Sequence, residues 1–314
     1  MRVTPAMTAD NALFNLQQGR SKLDKIQEQV ASGVIVNRPS DDPIASRQIL
    51  DLENKVKEGG QYLSNITKGN LWLNVTDTTL TSIGDIIDLA KKNVNDVSGT
   101  STTDPTQSES VNARKIAAEQ LRQLKNQLVD LGNTELQGQY IFAGFYNDTK
   151  PFNTDGTLNV PGTSGVINTE IDAKSYVQIN YSGDKLLRGG GGGANVFTAL
   201  DNLINEIDPA INQTAGVPDA MNVVTLQNEA KNLEQARTQV SDARSEIAGR
   251  MTRMQSAENI LTRNKSTLTG LISDMQNVDY IKAATELNQQ QTAFQAALSA
   301  TAKITQLSLL DYLK

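Results

Sequence analysis

An apolar residue stands at every seventh position from 226 to 275, as Leu226, Leu233, Val240, Ile247, Met254, Leu261, Leu268 and Met275. Ala236, Ala243, Ala257 and Leu271 fall three residues after their partners. A seam repeating every three and four residues specifies a helix that buries one stripe against another helix. At about 1.5 Å rise per residue, a helix over this span runs for roughly 75 Å, whereas a globular helix averages about 11–12 residues. The remaining positions mix Glu, Asp, Lys and Arg, as the solvated flank of a coiled coil does. The rest of the chain must therefore supply long partners for it.

Both ends of the sequence offer them. Residues 8–31 carry Ala9, Leu16, Leu23 and Val30 at sevens, with Ala12 and Ile26 between, and Gly33 stops the pattern. After Asn37-Arg38-Pro39-Ser40-Asp41-Asp42-Pro43, the Asp-Pro pair reads as an N-cap followed by proline at the first helical position. Residues 43–98 then hold Leu52, Ile66, Leu73, Leu80, Ile87 and Val94 on one phase, with Ile49, Val56, Leu63, Ile83, Ala90 and Val97 on neighbouring phases. Residues 99–105 read as a turn. Residues 106–137 read as a third helix, on Val111, Ala117, Leu121, Leu124, Leu128 and Leu131. The phase breaks at 277–281, and a last helix runs to the C-terminus on Ile281, Ala284, Leu287, Phe294, Leu298, Ala302, Leu309 and Leu313, with Gln291 and Thr305 at intermediate positions and Ile304 beside them.

That last helix is nearly uncharged. Between Ala283 and Leu310 its only charges are Glu286 and Lys303. A surface helix normally carries a charged outer face, so small neutral groups all round suit a helix surrounded by other helices. Isolated helices of this size are marginal in water. The reading is that both termini are mobile in the free chain and ordered in an assembly.

The middle differs. Residues 150–193 are dense in Gly, with nine of the 22, Tyr140-Ile141-Phe142-Ala143 is β-branched and aromatic, and Tyr176–Tyr181 reads as a strand before a Ser182-Gly183 turn. Phe197–Ile207 returns to helix. The fold class expected is mainly α: a long antiparallel helical coiled-coil bundle of paired N- and C-terminal regions with a small inserted β-rich domain. Its parts are a terminal helical pair (1–38 with 278–314), a helical rod (39–138 with 218–277) and the insert (139–217).

Composition narrows the chemistry. A net charge of −6, with no long run of like charge, argues against a nucleic-acid partner, which needs a cationic face. The absence of His and Cys removes the usual general base, thiolate chemistry and Cys/His metal sites. No enzyme activity, cofactor or metal is expected. No apolar run approaches the roughly 18 residues of a membrane span, and the start lacks an apolar signal-peptide core, so any exit from the cell is expected to leave no cleaved signal.

The sequence also resembles a known family. Helical segments at both ends with variable domains between them are the layout of the bacterial flagellin family, and Ala31-Ser32-Gly33-Val34-Ile35-Val36-Asn37-Arg38-Pro39-Ser40-Asp41-Asp42-Pro43 is similar to the family's SG-x-x-I-N-x-x-x-DD stretch, with Val36 as an extra residue. Within the family, the Arg38–Pro43 wording, Gln139–Phe145 with Thr149–Phe152, and the ending Leu307–Leu313 look like the hook-associated members. The resemblance covers roughly residues 1–150 and 220–314.

It implies an extracellular adapter ring at the hook–filament junction, homo-oligomeric, contacting hook-associated protein 1 on one side and flagellin on the other, and escorted by a cytoplasmic export chaperone. The candidate assembly residues are Leu16, Leu23, Ile26, Val30, Ile281, Leu287, Phe294, Leu298, Ile304 and Leu309. Asn37, Arg38, Asp41, Asp42 and Pro43 form the interlayer loop and helix cap.

Other readings are weaker. Asp41 with Asp42 could be an acid pair, but a helix cap explains them. Gly189–Gly193 lacks the Gly-Lys-Ser/Thr of a phosphate loop and reads as a turn. The lone Trp72 reads as seam packing. A filament flagellin, or a coiled-coil signalling or effector protein, remains as an alternative function.

Overall fold

The computed structural model describes residues 5–99, 107–214 and 216–312, with side chains for all of these except residues 5, 6, 8, 9 and 304–312. Seven helices and six short strands occur among them: α1 (Pro5–Ser32), α2 (Pro43–Val97), α3 (Ser108–Gly132), β1 (Glu135–Leu136), β2 (Gln139–Tyr140), β3 (Asn168–Asp172), β4 (Ser175–Gln178), α4 (Gly183–Leu187), α5 (Val196–Ile207), β5 (Gln213–Thr214), β6 (Val217–Pro218), α6 (Val223–Gln276) and α7 (Tyr280–Tyr312). The fold is mainly α, with a small β part. The chain divides into two compact units, residues 1–60 with 263–314 and residues 61–262. These boundaries fall inside α2 and α6 rather than at the turns where the sequence suggests a division.

Within residues 61–262 the long seams are realised. Leu226, Leu233, Val240, Ile247, Met254 and Leu261 of α6 are buried, as are Ala236 and Ala243. They share one core with Ile66, Leu73, Leu80, Ile83, Ile87, Ala90 and Val94 of α2, and with Ala117, Ala118, Leu121 and Leu128 of α3. The α2 and α6 stretches run antiparallel, since Asp77 pairs with Arg244 at 3.0 Å, Asp88 with Arg237 at 2.9 Å, and Lys91 with Glu234. The Arg237 guanidinium lies across Gly84, where a Cβ would come within 3.1 Å of it. Trp72 is buried in the same core, as expected for seam packing.

α3 ends at Gly132, five residues short of the expected end. Asn133 caps the helix, and β1 and β2 follow at once in register Glu135↔Tyr140 and Leu136↔Gln139. Gln137 and Gly138 have φ of 54° and 82°, the positive pair a tight two-residue hairpin requires.

In the apolar segment Tyr140–Ala143, Tyr140 closes β2 and the Ile141 N–H donates to the Thr134 carbonyl at 3.1 Å, while Ile141, Phe142 and Ala143 are fully buried in successive turns. Burial, rather than sheet pairing, accounts for their apolar character. Residues 135–218 thus hold three separate two-stranded hairpins with α4, α5 and many turns. The second hairpin pairs Thr169 with Val177 and carries a bulge near Asp172.

Side chains of the long helices tie the insert down. Gln239 of α6 holds the Ala194 N–H and carbonyl, Arg250 donates to the Asn180 carbonyl at 2.9 Å, and Asn65 of α2 donates to the Glu170 carbonyl at 3.1 Å. The Phe152 and Phe197 rings meet at 5.7 Å between centroids. The glycine run at 189–193 is a turn, with positive φ at Gly189, Gly191 and Gly192.

Arg114 of α3 is fully buried. Its guanidinium donates to the carbonyls of Ile207 (3.0 Å), Asp219 (2.8 Å) and Glu206 (3.5 Å), two of which end α5. Burial lowers its pKa, and the charges of Glu206, Asp208 and Asp219 oppose that. A cation at a helix C-terminus is also favoured by the helix dipole. At the same corner, burial pushes the Asp208 carboxyl up, but the hydrogen bonds from Arg122 and the Ala210 N–H outweigh it and hold the group below its ordinary value.

Candidate assembly site in the terminal helix pair

α1 and α7 pack along their length in the unit of residues 1–60 and 263–314. On α1 the half-buried stripe is Ala12, Leu16, Gly19, Leu23, Ile26 and Val30. The stripe of α7 begins with buried Ala283 and continues through half-buried Leu287, Gln290, Phe294, Ala297 and Thr301. A Cβ on Gly19 would touch the Phe294 ring at 3.4 Å, and the Gln290 amide donates to the Gly19 carbonyl at 3.1 Å.

The structure places Leu16, Leu23, Ile26, Val30, Leu287 and Phe294 together on this seam. It corrects Ile281 and Leu298 as seam residues: they are 83% and 47% exposed. Ile281 lies two residues before Ala283, about 200° round the helix, and Leu298 sits past the edge set by Phe294 and Ala297. Ala284 and Ala302 are exposed too, for the same reason. Ile304 and Leu309 lie on α7, but their side chains are outside the described residues; Leu313 is outside them altogether.

The pair is therefore thinly buried, and it displays apolar groups outward. Met7 (58%), Leu13 (55%) and Phe14 (59%) on α1 are exposed in addition to Ile281 and Leu298. A helix pair whose inner stripe is only half-buried while large apolar side chains also stand outside has its chemistry arranged for further neighbours.

The expected joint is built from side chains reaching back to α1. Asn37 donates to the Ser32 hydroxyl at 3.0 Å, Arg38 pairs with Glu28 at 3.1 Å, and Asp41 pairs with Lys25 at 3.1 Å. Lys25, together with the Arg38 N–H, holds the Asp41 carboxyl below its ordinary value. Asp42 turns the other way. Its carboxylate accepts from the Ile44 and Ala45 N–H groups at 3.0 and 2.9 Å, and Pro43 is the first residue of α2. The two acids therefore serve different partners, one fixing the loop and one capping the helix. Among the described residues no cluster of acidic, His or Cys groups could hold a metal, and no helix is long and apolar enough to cross a membrane.

Sequence reasoning missed the other half of this joint. Residues 33–35 pair with residues 276–278: the Ile35 N–H donates to the Gln276 carbonyl at 2.7 Å and the Val278 N–H to the Gly33 carbonyl at 2.9 Å, with Val34 opposite Asn277. Asp279 caps α7 through the Ile281 and Lys282 N–H groups. An Asp one residue before a helical pattern was a legible cap signal; the pairing across more than two hundred residues was not.

Comparison with known proteins matches the two ends of the chain. The bacterial flagellin N-terminal helical region matches residues 3–147, and the bacterial flagellin C-terminal helical region matches residues 230–313. Over the whole of both chains, the sequence is 24% identical to flagellar hook-associated protein 3 of Escherichia coli K12. Among solved structures, one assigned to the flagellar hook-associated proteins of Vibrio parahaemolyticus superposes with a TM-score of 0.63 at 23% identity, over 76% of this chain and 100% of that one. The flagellar junction protein FlgL of Legionella pneumophila does so with 0.54 at 15%, over 73% and 99%. At these identities the structural likeness speaks for the fold.

Proposed function

The chain belongs to the bacterial flagellin family, and we propose that within it this protein is the adapter at the hook–filament junction. It forms a homo-oligomeric ring that joins hook-associated protein 1 to the first flagellin subunits. The observation that carries this reading is the end-to-end correspondence with flagellar hook-associated protein 3, which covers all of both chains.

The terminal pair supports it physically. Leu16, Leu23, Ile26, Val30, Leu287 and Phe294 make the seam that must order on assembly, Ile281 and Leu298 face the neighbouring subunits, and Ile304 and Leu309, further along α7, belong to the same proposed set of assembly residues. The Asn37–Pro43 loop joins this polymer layer (1–38 with 278–314) to the helical part (39–138 with 218–277), which carries the insert (139–217). Export runs through the flagellar channel, with a cytoplasmic chaperone on the C-terminal region, and the protein works outside the cell. A pair buried as thinly as this one suits a chain that crosses a channel unfolded and orders on arrival.

A strain lacking the gene is expected to make hooks without filaments and to shed flagellin into the medium, with both reversed by the gene in trans. Normal filaments on the deletion strain overturn the proposal. A filament flagellin is the second reading, since both flagellin regions match. It requires the purified chain to grow long filaments by itself, where an adapter adds one layer to a matching end.

A further inference from the structure

The two turns that join the helices of the terminal unit are hydrogen-bonded to each other, and this pairing is the one non-helical backbone ladder among the described residues of that unit. Its register can be followed outward. α1 and α7 leave the paired turns from Gly33 and Val278. Fourteen residues from Gly33 stands Gly19; fourteen residues from Val278 lies the midpoint between Gln290 and Phe294, the two residues that Gly19 touches. Both helices thus reach this contact after the same residue count, in the register the turns impose.

We infer that these turns are a register clasp: their closure decides which level of α7 meets which level of α1. The seam alone discriminates poorly. Shifting α7 by one heptad exchanges Phe294 for Leu287 or Thr301 and Gln290 for Ala283 or Ala297 on the same stripe, so the fit of Phe294 over Gly19 and the one Gln290 hydrogen bond there are what oppose a slip. A slip would also move α7 by about 10 Å and shift Leu298 along the pair relative to Leu13, two exposed leucines each twenty residues from the clasp. The outward apolar surface therefore depends on the clasp.

The clasp is also tightly built. Gly33 has φ +74°, and a Cβ there would lie 2.6 Å from the Tyr280 hydroxyl. The Gln29 side chain donates to the Ile35 carbonyl at 3.0 Å, holding the first strand from the end of α1. Once the clasp is closed, pairing of two helices from opposite ends of the chain becomes an event between neighbours, at a high effective concentration.

The test uses the full chain, which has no cysteine of its own. Val34 and Asn277 face each other between the two flanking hydrogen bonds, the antiparallel position at which Cα atoms lie about 4.5 Å apart, within the range a disulfide spans. In V34C/N277C, oxidation is expected to slow amide exchange in both α1 and α7 by about tenfold or more relative to the reduced form. Gly33→Ala is expected to speed exchange in α7, which it does not touch in sequence, as well as in α1. Exchange within residues 61–262 is the folding control and stays unchanged. Equal exchange in the oxidised and reduced forms, faster exchange on oxidation, or failure of the pair to cross-link in the folded chain overturns the inference. The readout is on the free chain, so it stands apart from the adapter reading: wild-type filaments on a deletion strain would leave it untouched.

Discussion

Arg114 shows what one residue carries in this chain. Nothing in a heptad pattern marks an Arg as core, yet this one is fully buried and satisfies carbonyls at the end of α5 and in the loop leading to α6. Arg114→Ala removes the donors and leaves a cavity, so a loss of about 3–5 kcal/mol is expected, read as a fall in the urea midpoint with faster exchange in α5. Asp208 makes a pH prediction at the same corner. Its folded-state pKa lies below the ordinary carboxylate value, so its contribution is present above about pH 4 and is lost as pH falls through the folded value. Asp208→Asn should flatten the acid side of the stability curve below about pH 4 while lowering stability at neutral pH. An unchanged acid limb would show that other carboxylates control it.

At the scale of elements, one pattern has two outcomes along α6. Leu233 is completely buried, whereas Leu271, on the companion seam phase, is 46% exposed. Leu233→Ala should cost about 2–5 kcal/mol and Leu271→Ala well under that, by denaturant midpoint. Equal costs would mean that residues near 271 are covered in the free chain. The α2–α6 ion pairs belong here too. They fix the antiparallel orientation but lie mostly in solvent, so each is worth no more than about 1 kcal/mol. The helix start at Pro43 was readable because capping and proline chemistry is local. The end of α3 was misread because Glu135, Leu136 and Gln137 are good helix formers, while the Asn133 cap and the hairpin that follows stop the helix at Gly132.

For the whole molecule, burial is uneven. Residues 61–262 hold nearly all of the fully buried side chains, while α7 has one buried residue, Ala283, among those described. Limited proteolysis of the free protein should therefore remove both ends first and leave a resistant middle. Strong amide protection over residues 285–310 in a monomeric preparation would contradict the view that the terminal pair orders on assembly.

Periodicity in the sequence determined by itself that the chain is a set of long paired helices, because a seven-residue apolar repeat has no other stable use. Residue order around Asn37–Pro43 determined where one helix stops and the next is capped. The tertiary structure decided which of several apolar phases is the inside. Ile281 and Leu298 keep helical spacing yet face out, since a nearly neutral helix presents several stripes of similar hydrophobicity and only its partner selects one. It also decided the pairing of residues 33–35 with 276–278, a contact between backbone groups that every residue but proline carries and that no side-chain pattern announces.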